Sequence, residues 1–312
     1  MAVLEDVTSP PAAGLRPRGV SQRERWSRRL PLLPALIFVI VVTQVPFLVT
    51  LWYSFQSYFW NEPGGAHWTG VSNYKEVFTD PNFRSAIWRS VTMTAISVIV
   101  AMALGILLAV LLDKKFIGRG VVRTLIITPF LVMPSAAALI WSGPMLDPNF
   151  GLLNWLLEPF GVNHVAWLTT HAYGSVIVVM IWQWTPFMTL IVLAGLQGQA
   201  TDVLEAAKVD GANAWATFRE LTLPHLRPYI ELGVLLGSIY LVTAFDQVRL
   251  MTNGGPGTTT TTLPFYLYQK VNYAFDIGGS AAAGVVTVVL TIIVASFALR
   301  MFARVFQFEE AK

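Results

Sequence analysis

Cysteine is absent from all 312 residues, which excludes disulfides, thiolate metal sites and a cysteine nucleophile. Charge is scarce too. Only 12% of residues are Asp, Glu, Lys or Arg, against about 25% in an ordinary soluble domain. The few charges fall in short clusters between long apolar runs, so water cannot be the solvent for the whole surface. No G-x-x-x-x-G-K-[ST] sequence occurs, so the chain carries no ATP site of that kind. The four histidines, His67, His164, His171 and His225, are scattered over connections and offer no i,i+4 pair to a metal. The net charge of +3 comes from basic residues that flank apolar runs and form no aromatic-interleaved groove. They read as topology signals, and nucleic acid is not an expected partner.

What is present is apolar length: 54% of residues are hydrophobic. A membrane-spanning helix needs about 20 such residues, at ~1.5 Å each against a ~30 Å hydrocarbon core. Six runs are predicted as spans: Leu32 to Phe55, Ile87 to Leu112, Val121 to Trp141, Gly174 to Leu196, Tyr229 to Phe245 and Ser280 to Phe302, the fifth being the shortest. They must be helices, because a lone strand leaves its backbone unpaired in lipid and barrel strands would alternate. The expectation is an all-α integral membrane protein of six transmembrane helices.

Lys and Arg set the orientation. They gather before the first span (Arg16 to Arg29), between the second and third (Lys114, Lys115, Arg119, Arg123), between the fourth and fifth (Lys208, Arg219, Arg227) and after the sixth (Arg300, Arg304, Lys312). The connection Ser142 to Tyr173 has none. Both termini are therefore expected in the cytoplasm of a multi-pass protein. Residues 1–30, rich in Pro, Gly and Arg and without a cleavage site, are expected to be a retained disordered cytoplasmic tail. Residues 31–306 form the membrane domain, with the cytoplasmic loop 200–228 inside it, and 307–312 a cytoplasmic tail. The aromatics Trp52, Tyr53, Phe55, Tyr58, Phe59 and Trp60 suit an interfacial belt. The outer loop from Asp147 to Thr170 reads as a short interfacial helix between turns.

The loop TDVLEAAKVDGANAWATFRELTLPHLRP is patterned beyond what a linker needs. Leu204, Ala207 and Lys208 keep helical spacing up to Gly211, and Ala214, Trp215, Phe218 and Leu221 resume it until Leu223-Pro224 stops the second segment. Gly211 permits a positive φ at the break and Asp210 can cap or hydrogen-bond the turned backbone. Small Ala206 and Ala207 leave a shallow surface for a partner.

Glu205-Ala206-Ala207, then Asp210-Gly211, then Leu223-Pro224 resemble the EAA loop of binding-protein-dependent ABC importer permeases. MTNGGPG at Met251 to Gly257 is similar to the carbohydrate branch, the maltose-permease-like (MalF-type) subunits, and the Thr run with Leu263-Pro264 leans toward sorbitol or mannitol permeases. The resemblance implies the type I importer (MetI-like) permease fold in a bacterial cytoplasmic membrane. It also implies a second homologous permease, an ATPase homodimer or heterodimer that holds the ATP and Mg, an extracytoplasmic solute-binding protein, and a sugar or polyol as cargo. This chain itself is then no enzyme and binds no cofactor.

Matched position by position, the resemblance places Gln183, Trp184 and Phe187 of the fourth span and Gly237, Tyr240, Leu241 and Ala244 of the fifth along the sugar path. It gives Glu205 to a charge-assisted contact with an ATPase arginine. Maltose-type permeases hold more amides at these path positions. Stacking aromatics and hydrogen-bonding side chains suit sugars, yet Trp184, Phe187 and Tyr240 read equally as buried packing. Pro186 is a possible kink. Asp246, with Arg249 three residues on, reads as an outer-edge gate or ion pair rather than a proton relay. Two rivals stand: a secondary transporter would carry inverted repeats and midplane ionisable groups, and a polytopic enzyme or scaffold would carry paired intramembrane carboxylates or a His-Asp cluster. The sequence shows neither enzyme signature, and the coupling-loop pattern argues against the secondary transporter.

Overall fold

The computed structural model describes residues 33–162 and 164–310, with side chains described to residue 300. The expected tail 1–30 lies outside the described residues. Two compact units divide the chain, one ending at Val49 and the other beginning at Thr50. The first holds most of α1 (Leu33–Tyr53), an apolar helix long enough to span.

In the second unit, β1 (Gln56–Ser57) and β2 (His67–Trp68) make a two-residue antiparallel pair, a small departure from an all-helical chain. Helix α2 (Ser72–Thr79) follows, then α3 (Pro81–Asp113). Asp80 caps α3 by accepting from the Asn82 N–H at 2.8 Å, and Pro81 sits in the first turn, where no donor is missed. Helices α8 (Ala172–Gln197), α11 (Leu223–Val242) and α13 (Ile277–Glu310) complete the long elements. Among the described residues, four helices are long and apolar enough to cross a membrane: α1, α3, α8 and α13 through Arg300. Helix α13 continues to Glu310, so 307–310 extend the last helix instead of forming a separate tail.

The expected third span, Val121 to Trp141, is not one helix. It divides into α4 (Arg119–Leu131) and α5 (Pro134–Ile140), the latter continued by a π turn at Trp141–Met145, and the two halves diverge by 101°. Pro134 lacks an N–H and pushes its predecessor out of the helical region; Val132 and Met133 accordingly stand at ψ 128° and 141°. The expected fifth span also differs. Helix α11 starts six residues early and ends at Val242, before Phe245, and it carries Arg227 and Glu231 as an ion pair at 2.9 Å. The outer loop does hold a short helix, α6 (Leu152–Leu157). Asn154 cinches it by donating to the carbonyls of Asp147, Pro148 and Val165 and accepting from Trp167 Nε1. Helix α7 (Trp167–Thr170) then leads into α8.

The main core lies where α3, α8 and α11 cross, around buried Val98, Met102, Met188, Val192, Ile230 and Val234. Gly105 lets α3 meet α8 closely: a Cβ there would lie 2.6 Å from Met188 Cβ and 3.0 Å from the Thr189 backbone nitrogen. Small residues at such crossings give dispersion contact where lipid offers no hydrophobic drive. A second core forms around Val77, Phe83, Ala86, Leu263 and Ala283. It joins α2 to α3, α12 (Leu263–Asn272) and α13. Beside it Lys270 Nζ donates to Glu76 Oε1 and Asp276 Oδ2, each at 3.0 Å, and the Tyr266 hydroxyl donates to Asp80 Oδ2 at 2.6 Å.

Burial opposes the Lys270 charge, but the hydrogen bonds and charges of Glu76 and Asp276 outweigh it, and the ammonium is held above its ordinary range. The Tyr266 phenol also moves up, through burial and then its bond to Asp80. Groups raised on folding stabilise below their unfolded values and lose that contribution as pH climbs through the folded ones. Thermal stability is therefore expected to stay level near neutrality and decline above about pH 10, and to decline less in Lys270→Met, read as Tm against pH. At the helix crossing, Gly105→Ala is expected to cost about 1–3 kcal/mol, read as a lower Tm in detergent, while Gly120→Ala, with nothing within 4 Å of its Cβ, leaves Tm unchanged.

Candidate functional site

Two regions carry the predicted site residues. The first is the loop between α8 and α11, where α9 (Thr201–Val209) and α10 (Ala214–Thr217) stand as a helix, a turn and a helix. Gly211 takes φ +84° with nothing within 4 Å of a Cβ, so the glycine serves backbone conformation and not space. The turn is closed by Asp210 N–H to Ala206 O at 2.9 Å and Ala212 N–H to Ala207 O at 2.9 Å. Asn213, not Asp210, caps the second helix, its Oδ1 accepting from the Ala216 N–H at 2.8 Å.

Nothing in α9 is buried. Glu205 and Ala206 are exposed and Ala207 half-buried, beside Val209 at 87% and Trp215 at 70% exposure. This is a polar and apolar face offered outward. Leu223-Pro224 does not stop the second helix as expected. A π turn at Phe218–Thr222 leads directly into α11, where Pro224 falls in the first turn, a place a missing N–H is harmless. The loop thus runs into α11 without a break, while residues 198–200 make a short turn between it and α8. Where they leave it, His225 Nε2 lies 3.1 Å from the Gly195 carbonyl, and a Cβ on Gly195 would meet Leu226 and Tyr229 at 2.7 Å.

The second region is an aromatic cluster. Trp184 and Phe187 of α8 and Tyr240 of α11 come together as the sequence predicts: Trp184 to Tyr240 is 5.5 Å between centroids and Trp184 to Phe187 is 5.4 Å. Phe130 of α4 joins them, stacked on Phe187 at 5.1 Å and edge-on to Trp184 at 5.8 Å. Tyr240 is 59% exposed and the other three are half-buried, so the cluster has an open side.

The remaining predicted path residues are placed differently. Gly237 is buried where α11 crosses α3 and α8, with a notional Cβ 2.5 Å from Met188 Cε, and Leu241 belongs to the same core. Ala244 packs against that core just past the end of α11. Gln183 is 3% exposed and committed to protein: its Nε2 donates to the Val132 carbonyl at 2.9 Å, and its Oε1 accepts from Gln247 Nε2 at 2.8 Å. Asp246 does not pair with Arg249. Its Oδ2 accepts from Ser135 Oγ at 3.0 Å, while Arg249 donates to Asn253 Oδ1 at 2.8 Å and lies over the Tyr268 ring. Both residues lie in the helical stretch 246–252 that follows α11, yet the expected ion pair is not made, because the two side chains serve different neighbours.

Phe130, Ser135 and Gln247 are the residues the sequence reading passed over. The pair Pro129 and Pro134 within one apolar run was the available signal for a discontinuous span. Among the described residues no three His, Cys, Asp or Glu gather to hold a metal.

An exposed helix-turn-helix between α8 and α11, with an uncharged aromatic cluster farther along the same two helices, in a chain with several helices apolar enough to cross a membrane, suits a membrane transport subunit. The chain belongs to the binding-protein-dependent transport system inner membrane component family, whose model matches residues 101–307. A probable ABC transporter permease protein of Sinorhizobium fredii is 39% identical over 266 residues, 85% of this chain and 86% of that one. The trehalose/maltose transport system permease protein of Thermococcus litoralis is 33% identical, over 86% of this chain and 91% of that one. Among solved structures, a chain of a bacterial alginate ABC transporter in complex with an alginate-bound periplasmic protein superposes with a TM-score of 0.77 at 22% identity, covering 91% of this chain and 96% of that chain, a likeness of fold. The chain is therefore a transport subunit with the permease fold, not an enzyme.

The cap assignment is checkable. Asn213→Ala is expected to destabilise the loop by ~1 kcal/mol, seen as faster hydrogen exchange over α10, whereas Asp210→Ala leaves that exchange unchanged.

Proposed function

We propose that this chain is one half of the membrane path of an ATP-driven importer for a sugar or sugar alcohol. An extracytoplasmic binding protein hands over the solute, a second homologous permease completes the path, and two ATPase subunits dock at the α9 loop. The observation that carries the reading is the union of two features on α8 and α11: the EAA loop at one end and the Phe130, Trp184, Phe187 and Tyr240 cluster about 20 Å along the helix from it, counting ~1.5 Å per residue. Aromatic faces stack on the C–H surfaces of sugar rings and need no ionised partner. The trehalose/maltose relative supports the cargo class.

Six crossings with both termini in the cytoplasm fit this reading. The bent α4 and α5 make the third and α11 the fifth, with the Lys and Arg clusters on the cytoplasmic side. Glu205 contacts an ATPase arginine, Ala206 and Ala207 allow close approach, and Gly211 turns the chain between the docking helices. Gln183, Gly237, Leu241 and Ala244 shape the path wall from behind, and Asp246 holds α5 at its edge.

With the assembled transporter in proteoliposomes, Glu205→Ala and Gly211→Pro are expected to lose copurified ATPase or its solute-stimulated hydrolysis. Trp184→Ala is expected to keep assembly and lower uptake of trehalose about tenfold, the scale of one lost stacking contact. Loop variants that couple like wild type would sink the docking role, and normal uptake in Trp184→Ala would remove that residue from the path.

A further inference from the structure

The break between α4 and α5 is gripped from one place. Val132, at ψ 128°, turns its carbonyl out of the helical ladder, and Gln183 of α8 donates to it at 2.9 Å. Gln183 is in turn held by Gln247 Nε2 at 2.8 Å. The next residue back, Asp246, accepts from Ser135 Oγ, on the other flank of Pro134. Two consecutive side chains beyond the end of α11 thus hold both sides of a 101° bend, one directly and one through an amide relay. Both glutamines are 3% exposed. Phe130 lies two residues before Val132 and forms a wall of the aromatic cluster through its contacts with Phe187 and Trp184.

We propose that Gln247 is a positioning residue of the transport path: through Gln183 and the Val132 carbonyl it fixes the angle of the broken span and so the place of Phe130 in the cluster. This rests on the reading of the cluster as the path, but the geometric part stands apart from it. Inside lipid, a carbonyl released by a proline break is satisfied only by protein. An amide that donates to it while accepting from a second amide is oriented and polarised by that second amide. Removing the Gln247 amide leaves Gln183 Oε1 buried without a donor, and Gln183 is then free to rotate away from Val132. The bend loses its fixed angle and Phe130 its fixed distance from Phe187.

The chain has no cysteine, which makes the bend directly measurable. Cysteines replacing Leu125 on α4 and Leu139 on α5, both exposed, carry spin labels in the complete transporter, assembled with partner subunits stripped of cysteine. The distance between them is read by double electron–electron resonance in nanodiscs. Gln247→Leu, close in volume and without donors, is expected to broaden or shift that distribution, as are Gln183→Leu and Gln247→Glu. The double Gln183→Leu, Gln247→Leu variant is expected to be no worse than the more severe single, because one chain is broken once. In uptake of trehalose, Gln247→Leu is expected to raise KM about fivefold, the scale of one hydrogen bond, with the maximal rate within about twofold of wild type.

A role in packing alone predicts the opposite: an apolar near-isostere leaves the distance distribution and KM unchanged, and that result overturns the proposal. Equal loss of assembly in Gln247→Leu and Gln247→Glu with an unchanged distribution in the assembled fraction overturns it as well. If the distribution changes in the variants while trehalose is not transported by the unsubstituted chain, the positioning role holds and the cargo reading fails.

Discussion

A backbone carbonyl at membrane depth has no water to turn to, and the Val132 carbonyl is where this molecule meets that constraint. Most of the chain meets it by staying helical, which is why α1, α3, α8 and α13 run so long. At Pro134 the chain leaves the helix, and a buried amide from α8 takes up the freed acceptor. From that single contact follow the direction of α5, the position of Phe130 and the closure of the aromatic cluster. The amides of Gln183 and Gln247 are both committed to protein. What the cluster leaves open is ring faces and the exposed Tyr240 phenol.

The long helices were legible because run length and composition alone decide whether a segment can live in lipid. The turn at Gly211 was legible for an equally local reason: a glycine between two helical patterns marks positive φ, and φ is +84°. The bend was less so. Pro129 and Pro134 announced trouble in the third run, but its size and direction depend on which neighbour satisfies Val132, and that neighbour is 51 residues away. Helix α11 illustrates the same limit, since hydropathy placed its ends by composition while the π turn at Phe218–Thr222 and the stop at Val242 placed them in fact.

Within the site, the aromatics lie together as their spacing allows, while the polar side chains pair with partners that spacing does not reveal. Trp184, Phe187 and Tyr240 gather because helical spacing puts them on facing sides of α8 and α11. The match to maltose-type permeases places Gln183 on the path, yet both ends of its amide are occupied by Val132 and Gln247. Asp246 reads as a gate or, on helical spacing, as an ion pair with Arg249; the spacing holds in the stretch 246–252, but Ser135 and Asn253 take the two side chains. Asp210 reads as a cap or as a bond to the turned backbone; its N–H donates to Ala206 O, and Asn213, two residues past the left-handed glycine, caps the new helix. Long-range hydrogen bonding is a property of three dimensions that a one-dimensional pattern encodes only weakly.

The close crossing at Gly195 has a mechanical side. Helix α8 packs there against Leu226 and Tyr229, two residues before it ends at Gln197, and it is held again where Gly105 of α3 admits Met188. Gripped at two places about 10 Å apart along its axis, α8 shifts only together with α3 and α11, as one block.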